Sequence, residues 1–351
     1  MIARDNFYEP HIRDLQAQSK GDPGLIERAL YAFGLLEALA KVGLNFIFKG
    51  GTSLLLLLPE PKRLSTDIDI VVAPGTDIES SIEEASKIFP FQKLEEQKRV
   101  GRNNIVKRHF KFTYDSPIRK RPLYILLDVL FEENHYKKLI QKEIKNDLLL
   151  TEGENLKVTL PSIDCILGDK LTAFAPHTTG IPLGADKDLE VIKQFYDVGT
   201  LIDAYTDFDD LRQTYFDVSK AELAFRGNPA TSEEAHLDTM YAAACIGSRG
   251  KFGADDFPSY LRGSRDIAGH IFENPRYNME IASLSAPKVI YMAASLLTGQ
   301  PFQKDIDIDS FKDENLTQPE LMVMSSFRKR RSNAYGHLVL ADRLLREYRN
   351  Q

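Results

Sequence analysis

The sequence predicts an α+β protein in which a domain built on a mixed sheet is followed by a mostly helical domain. Runs typical of β-strands are concentrated before residue 132, whereas apolar residues at helical spacing dominate after about residue 155. The chain has 351 residues, which is long enough for two domains with separate cores. We therefore predict a sheet domain over residues 1–160 and a helical domain over residues 161–351, with the boundary near Pro161.

In the first half, apolar spacing and turn residues predict helices that alternate with strands. The predicted helices cover residues 24–43, 52–58 and 77–89, and the predicted strands cover residues 45–49, 67–73, 105–114 and 123–131. Thr52 and Ser53 are expected to cap the second helix, because hydroxyl side chains accept hydrogen bonds from the first backbone amides. The last strand is apolar except for Asp128, so it is expected to be buried.

In the second half, helical periodicity recurs between breaks that contain glycine, proline or asparagine. The predicted helices cover residues 162–174, 186–204, 207–226, 231–247, 278–298 and 319–348. No internal repeat or low-complexity tract interrupts this pattern. The second half is therefore expected to pack as a helical domain.

Composition excludes several classes of protein. With 43% hydrophobic and 27% charged residues, the chain is globular rather than disordered or fibrous. Its net charge of −6 means that a nucleic-acid partner would have to be met by a local basic face. Cys165 and Cys245 stand far apart without a cysteine–histidine cluster, which excludes a disulfide framework and disfavours a zinc module. The start of the chain lacks the apolar segment of a secretory signal, and no apolar run approaches the ~20 residues of a membrane span. We therefore expect a soluble cytoplasmic protein that does not bind membranes.

The segment 49–70, KGGTSLLLLLPEPKRLSTDIDI, contains the chemically informative residues. Its two glycines, Gly50 and Gly51, would let a phosphate approach the backbone, and the amides at a helix start attract phosphate oxygens. Asp67 and Asp69 stand two residues apart on a predicted strand, so both carboxylates point the same way and can converge on a hard cation. A triphosphate beside a carboxylate-bound metal ion is the arrangement that nucleotidyl transfer requires.

Asp128 supplies a third carboxylate. It interrupts an otherwise apolar strand, and a buried unpaired carboxylate costs considerable free energy. Metal coordination would explain its presence, and the same carboxylate could then act as the general base that deprotonates an acceptor hydroxyl. The alternative is a carboxylate paired with a basic side chain or placed at a strand end.

The order of these motifs resembles the polymerase-β-type nucleotidyltransferase superfamily. The specific form KGGTSL followed by R-L-S-x-D-I-D is similar to the AbiEii/AbiGii family of nucleotidyltransferase toxins from type IV toxin–antitoxin systems. The matching residues are Lys49–Ser53, Arg63, Ser65, Asp67 and Asp69. Downstream, Lys170 fits the lysine that the family carries on a helix after the sheet domain, and Lys193 and Asp197 fit its K-x-x-x-D motif. The resemblance covers about residues 25–205 and implies a polymerase-β-like sheet domain.

The resemblance implies transfer of a nucleoside monophosphate from an NTP to RNA, with tRNA 3′ ends as the expected acceptor and pyrophosphate as the second product. It also implies Mg²⁺ or Mn²⁺ as cofactor and a cognate antitoxin as partner. Asp67, Asp69 and Asp128 would hold the metal. Lys170 and Lys193 would neutralise phosphate charge, and Asp197 would position Lys193 or the acceptor, so either Asp128 or Asp197 is the base. The residues expected to contact the nucleotide are Gly50, Gly51, Thr52, Ser53, Arg63 and Ser65.

Two alternative functions share these motifs. The first is a nucleotidyltransferase that modifies a small molecule such as an antibiotic, and the second is a catalytically silent nucleotide-binding module. An RNA-modifying enzyme needs a basic face beside Asp67 and Asp69. The sequence offers Lys98–Arg108 and Arg119–Arg121 in the sheet domain, and Arg328–Arg331 in the helical half.

Overall fold

The computed structural model describes residues 1–60, 62–97, 106–184, 186–271, 277–311 and 313–350. Contacts between Cα atoms divide the chain into two compact units. The first comprises Met1–Ser162 and Gly269–Pro275, and the second comprises Ile163–Ala268 and Arg276–Gln351. A mixed sheet and many helices confirm the predicted α+β class. We propose that the two units are the two domains, with the short segment after residue 268 added to the first.

The first unit holds all the strands that the structure describes and four α-helices. The helices are α1 (Glu9–Ser19), α2 (Pro23–Lys41), α3 (Gly50–Leu57) and α4 (Glu79–Ser86). The strands are β1 (Ile47–Lys49), β2 (Ile68–Val72), β3 (Lys93–Gln97), β4 (Val106–Asp115), β5 (Pro122–Phe131), β6 (Leu139–Glu143) and β7 (Lys157–Pro161). Sequence analysis missed α1, β3, β6 and β7. The edge strands β3 and β6 are mostly exposed, so they lack the apolar alternation that marks a half-buried strand.

The seven strands form one sheet in the order β3-β4-β5-β2-β1-β7-β6. Parallel pairing joins β2 to β5 and β1 to β7, whereas the other neighbours are antiparallel. The strands that bear the two predicted acidic motifs, β2 and β5, are therefore direct neighbours although about 60 residues separate them in sequence.

The two faces of the sheet differ in polarity. Alternate residues of β2, β4 and β5 are apolar and buried: Ile68, Ile70, Val72, Phe110, Phe112, Tyr114, Ile125, Leu127 and Val129. Helix α2 packs against β2 and β5 on the buried side of the unit. The residues between them, including Asp69, His109 and Asp128, project from the opposite face because side chains alternate along a strand. One face thus stabilises the fold, and the other is available for chemistry.

The second unit is helical throughout its described part. Its helices are α5 (Ile163–Ala173), α6 (Asp188–Ala204), α7 (Phe208–Arg226), α8 (Ser232–Ser248), α9 (Phe257–Asp266), α10 (Met279–Thr298), α11 (Pro319–Met322), α12 (Phe327–Arg330) and α13 (Ser332–Arg349). Helix α10 is the only described helix long and apolar enough to cross a membrane, and 67% of its apolar window is buried inside the protein, which is typical of a core helix.

The prediction of one helix over residues 319–348 is wrong, because the segment forms three helices. The Asp342 carboxylate accepts hydrogen bonds from the backbone amides of Thr317 and Gln318, at 2.7 and 2.8 Å. In a continuous helix these groups would lie more than about 30 Å apart, since each residue adds ~1.5 Å. The chain therefore folds back, and Arg331 leaves the helical conformation at the bend.

A buried histidine in the second unit makes stability depend on pH. His236 stacks on Tyr215 with ring centroids 3.9 Å apart, and burial lowers its pKa to about 3. The unfolded chain protonates this ring below about pH 6.5, whereas the folded chain does so only near pH 3, so stability falls as pH decreases between these values. We expect the His236 contribution to unfolding free energy to be about 2 kcal/mol lower at pH 5 than at pH 7.

Urea denaturation at the two pH values measures this loss. The variant His236→Phe keeps an aromatic ring at the position but cannot take a proton, so its difference between pH 7 and pH 5 should be smaller than that of the parent. Burial also lowers the pKa of His337 to about 4, and this residue supplies part of the remaining pH dependence. An unchanged difference in His236→Phe would contradict the assignment.

Candidate active site

The turn between β1 and α3 fits only glycine. Gly50 has a φ of +80°, and a Cβ atom on it would overlap the Asp69 carboxylate. A Cβ atom on Gly51 would lie 2.7 Å from Arg63 Nη2 and 2.8 Å from Ser65 Oγ. The two glycines therefore let the start of α3 approach an acidic, a basic and a hydroxyl side chain at once.

Thr52 and Ser53 lie inside the protein and secure this turn. The Thr52 hydroxyl donates to the Asp67 carbonyl at 2.6 Å, and the Ser53 hydroxyl donates to the Gly50 carbonyl at 2.8 Å. Both residues are fully buried. The predicted helix cap is wrong, since α3 begins at Gly50 and Lys49 occupies the cap position without a side-chain bond. The Thr52 hydroxyl instead holds the turn against the acidic motif, and the Ser53 hydroxyl stabilises the first turn of α3.

The loop before β2 is anchored by a segment from far along the chain. The buried Arg63 donates from Nη1 to the Leu64 carbonyl at 3.1 Å, and its backbone pairs with Ile271. The Leu64 amide donates to the His270 carbonyl at 2.7 Å. Ser65, which follows, is half-buried beside Gly51. Arg63 and Ser65 are thus brought to the glycine turn.

Asp67 and Asp69 lie at the start of β2. Asp67 Oδ1 is 3.4 Å from Arg28 Nη2 of helix α2, and 44% of the Asp67 side chain is exposed. Asp69 stands beside Gly50 and is directly paired with Lys49 in β1 and with Asp128 in β5. The acidic motif therefore meets the glycine turn on one side and the third carboxylate on the other.

Asp128 is not the buried carboxylate that its apolar strand suggested. Its side chain is 40% exposed, and Oδ1 lies 2.7 Å from Nδ1 of His109 in β4. The reason for the difference is that alternation along β5 buries Leu127 and Val129 but turns Asp128 to the polar face. The free-energy cost of burying an unpaired carboxylate is therefore no argument for a metal ion at Asp128.

Four polar residues form a row across neighbouring strands: Lys49, Asp69, Asp128 and His109. All four line a cavity of about 120 Å³. Directly paired residues on adjacent strands project from the same face, so the row presents two carboxylates between two nitrogen-bearing side chains. Sequence analysis missed Lys49 and His109 as members of the site. Alternation in β4 could have placed His109 on a polar face, but not beside Asp128.

Two of the three predicted residues of the second unit, Lys170 and Asp197, come together, and the third forms a separate ion pair. Lys170 Nζ lies 3.0 Å from Asp197 Oδ2 and 3.0 Å from Gln194 Oε1. Lys193 pairs instead with Glu190, at 2.9 Å. The expectation that Asp197 positions Lys193 is therefore replaced by a pair in which Asp197 fixes Lys170. Asp197 is only 1% exposed because it lies on the face of α6 that packs against α5.

The predicted basic segments differ in their surroundings. Residues 98–105 lie outside the described part of the chain, whereas Lys107 is exposed on β4. Lys120 pairs with Glu9 at 2.9 Å. In the second unit, Arg328 donates hydrogen bonds to the Tyr335 hydroxyl and to Asn315, so its contacts join neighbouring segments of that unit. Of the predicted basic residues that the structure describes, Lys107 lines the cavity of the acidic row.

The donor set suits Mg²⁺ bound together with a substrate. Among the described residues, no group of three or more acidic, histidine or cysteine side chains is arranged to hold a metal by itself. Mg²⁺ is commonly held by one or two carboxylates together with substrate phosphates rather than by an all-protein cage. Asp69 and Asp128, adjacent in register and next to the glycine turn, fit that mode of binding.

A glycine turn placed against paired carboxylates on a mixed sheet defines a protein of the nucleotidyltransferase class. The family model described as "Nucleotidyl transferase AbiEii toxin, Type IV TA system" matches residues 34–266, more than half of the chain. The chain therefore belongs to this family of toxin nucleotidyltransferases, as the motifs predicted, and it is an enzyme of that type.

Two solved structures are similar to the chain at low sequence identity. JHP933 from Helicobacter pylori is 15% identical, with a TM-score of 0.45 over 78% of this chain and 94% of its own. An antigenic nucleotidyltransferase-like protein from Paracoccidioides brasiliensis is 17% identical, with a TM-score of 0.38 over 56% of this chain and 86% of its own. No curated protein matches the sequence.

Proposed function

We propose that this protein is a cytoplasmic, metal-dependent nucleotidyltransferase toxin that transfers a nucleoside monophosphate from an NTP to the 3′ end of RNA, with tRNA as acceptor. A cognate antitoxin would neutralise it. The observation that carries the proposal is the register that pairs Asp69 with Asp128 while Gly50 packs directly against Asp69. This arrangement brings the glycine turn and the first backbone amides of α3 next to two carboxylates.

The chemistry follows from these positions. The acceptor 3′-hydroxyl oxygen forms a bond to the α-phosphorus, the bond from that phosphorus to the bridging oxygen breaks, and pyrophosphate leaves. Asp67, Asp69 and Asp128 would hold Mg²⁺ or Mn²⁺, which supplies charge neutralisation at the phosphates when bound. The backbone amides of Gly50 and Gly51 and the Arg63 guanidinium would hold the triphosphate.

Asp128 is the better candidate for the base that takes the hydroxyl proton. It is 40% exposed and belongs to the polar row, so an acceptor can reach it. Asp197 is 1% exposed and lies in an ion pair with Lys170. A carboxylate in that environment serves to fix the lysine, because leaving either charge unpaired in the interior is costly.

The polar face of the sheet favours RNA over a small acceptor. Lys107 and Lys111 lie two residues on either side of His109 and therefore share its face of β4. Lys111 Nζ stands 4.4 Å from the centre of the Tyr124 ring, which is 40% exposed. Glu95, directly across from Lys111, is held by Lys93 at 2.7 Å. Ammonium groups and an exposed ring beside the catalytic row are typical of single-stranded nucleic-acid binding.

Incubation with labelled NTPs, Mg²⁺ and total tRNA tests the function. The expected result is label on the RNA 3′ end and release of pyrophosphate, both lost on chelation of the metal. Label on an added small molecule but not on RNA would favour the antibiotic-type enzyme. NTP binding without any transfer would identify a silent module and refute the proposal.

We expect Tyr124→Ala to weaken binding of single-stranded RNA about fivefold or more, since stacking on an aromatic ring contributes ~1–3 kcal/mol per base. Lys111→Ala should weaken binding and also reduce its dependence on salt. Fluorescence anisotropy with a labelled 3′-terminal RNA gives both values. Lys142→Ala is the matched control, because Lys142 is exposed on β6, five strands away from β4 in the sheet. Equal losses in all three variants would contradict the assigned face.

A further inference from the structure

The contact between His109 and Asp128 is the most specific feature of the row. The two residues are directly paired across β4 and β5, and Asp128 Oδ1 lies 2.7 Å from Nδ1. A carboxylate accepts hydrogen bonds, so the ring nitrogen donates. The His109 side chain is 13% exposed, whereas that of Asp128 is 40% exposed. A largely enclosed ring thus holds one oxygen of an accessible carboxylate.

We propose that His109 is a positioning residue that fixes the Asp128 carboxylate for nucleotidyl transfer. The proposal rests on the proposed function, because it assigns Asp128 the task of receiving the acceptor proton or binding the metal. With Oδ1 bound to His109, the carboxylate is held in one orientation, and its second oxygen would face the acceptor hydroxyl or the metal ion.

A purely stabilising role does not explain the choice of residue. Partly exposed ion pairs contribute only about 0–1 kcal/mol, so the fold gains little from this pair. Lysines occupy the neighbouring positions on the same face, Lys107 and Lys111, and a lysine at position 109 would supply charge on a flexible chain. The imidazole ring on β4 has few rotamers. It therefore fixes the direction of the hydrogen bond to Asp128 as well as the contact itself. Displacing a reacting group by about 1 Å can cost ~100-fold in rate.

Two substitutions separate positioning from packing. His109→Asn retains an N–H donor near the place of Nδ1, whereas His109→Leu fills the space without a donor. We expect His109→Leu to lower kcat about 10- to 100-fold with little change in KM for the NTP. His109→Asn should recover most of kcat. Combining His109→Leu with Asp128→Asn should add little to the loss in Asp128→Asn alone, because coupled residues are not additive.

His177→Leu is the matched control. It removes another histidine–aspartate contact, between His177 Nε2 and Asp256 Oδ2 at 2.9 Å in the second unit, and it should leave kcat unchanged. Equal activity of His109→Leu and the parent would overturn the proposal. Equal losses in the asparagine and leucine variants, or additive losses in the double variant, would also overturn it.

Crystal structures of the two His109 variants provide a readout that does not depend on activity. Asp128 should keep its side-chain orientation in His109→Asn and change it in His109→Leu. An unchanged orientation in His109→Leu would refute the positioning role. If the parent protein shows no transfer to any acceptor, the proposed function fails, while these structures still decide whether His109 positions Asp128.

Discussion

Replacement of Asp69 by asparagine is expected to reduce nucleotidyl transfer by about a thousandfold or more while the fold persists. Asp69 is the central residue of the polar row, paired with Lys49 on one side and Asp128 on the other. Asparagine has nearly the same shape but lacks the charge that would hold a cation and a triphosphate together. A Cβ atom on Gly50 would overlap the Asp69 carboxylate, so Asp69 lies in direct contact with the glycine turn.

Single-turnover transfer to RNA measures this loss, and circular dichroism checks the fold. Asp14→Asn is the matched control, because Asp14 is an exposed carboxylate on α1 in the same unit. The control should retain full activity. Transfer by Asp69→Asn at more than a tenth of the parent rate would show that the acidic row is not the catalytic centre.

Replacement of Lys170 by methionine is expected to destabilise the second unit by about 3–5 kcal/mol, because it leaves the Asp197 charge buried without its partner. The double variant Lys170→Met with Asp197→Leu should recover much of this loss, since apolar residues can replace a buried ion pair at little cost. Chemical denaturation followed by fluorescence or circular dichroism gives the free energies.

Lys193→Met provides the comparison for this effect. Lys193 pairs with Glu190, whose side chain is 45% exposed, and such a pair contributes at most about 1 kcal/mol. The two lysines lie on helices of the same unit, so the free energies of unfolding of the two variants can be compared directly. A loss in Lys170→Met no larger than that in Lys193→Met would mean that the Lys170–Asp197 pair does not stabilise the interior.

Local patterns in the sequence were sufficient for the parts of the site that lie close together along the chain. The glycine turn, the short leucine-rich helix and the paired carboxylates of β2 all follow from spacing within residues 49–70. The glycines were predictable because a close approach of backbone to a polar group leaves no room for a Cβ atom. Asp128 was also found, since a charge in an apolar strand is conspicuous.

Contacts between distant segments were not predictable from one sequence. His109 reaches Asp128 only through the register of β4 with β5, and nothing within either strand specifies that register. The partner of Asp197 was misjudged for the same reason, because a helical spacing suggested Lys193 whereas packing between α5 and α6 selected Lys170. The exposure of Asp128 likewise depends on which face of the sheet is covered.

The pairing of Arg63 and Leu64 with His270 and Ile271 has a consequence for the order of synthesis. The loop that leads into Asp67 and Asp69 finds its backbone partners only after a segment about 200 residues further along the chain has been synthesised. A nascent chain that ends between Asp128 and His270 carries all three acidic residues but lacks the support of this loop. A toxin built in this way secures the loop before its acidic motif only after a much later segment of the chain has been made.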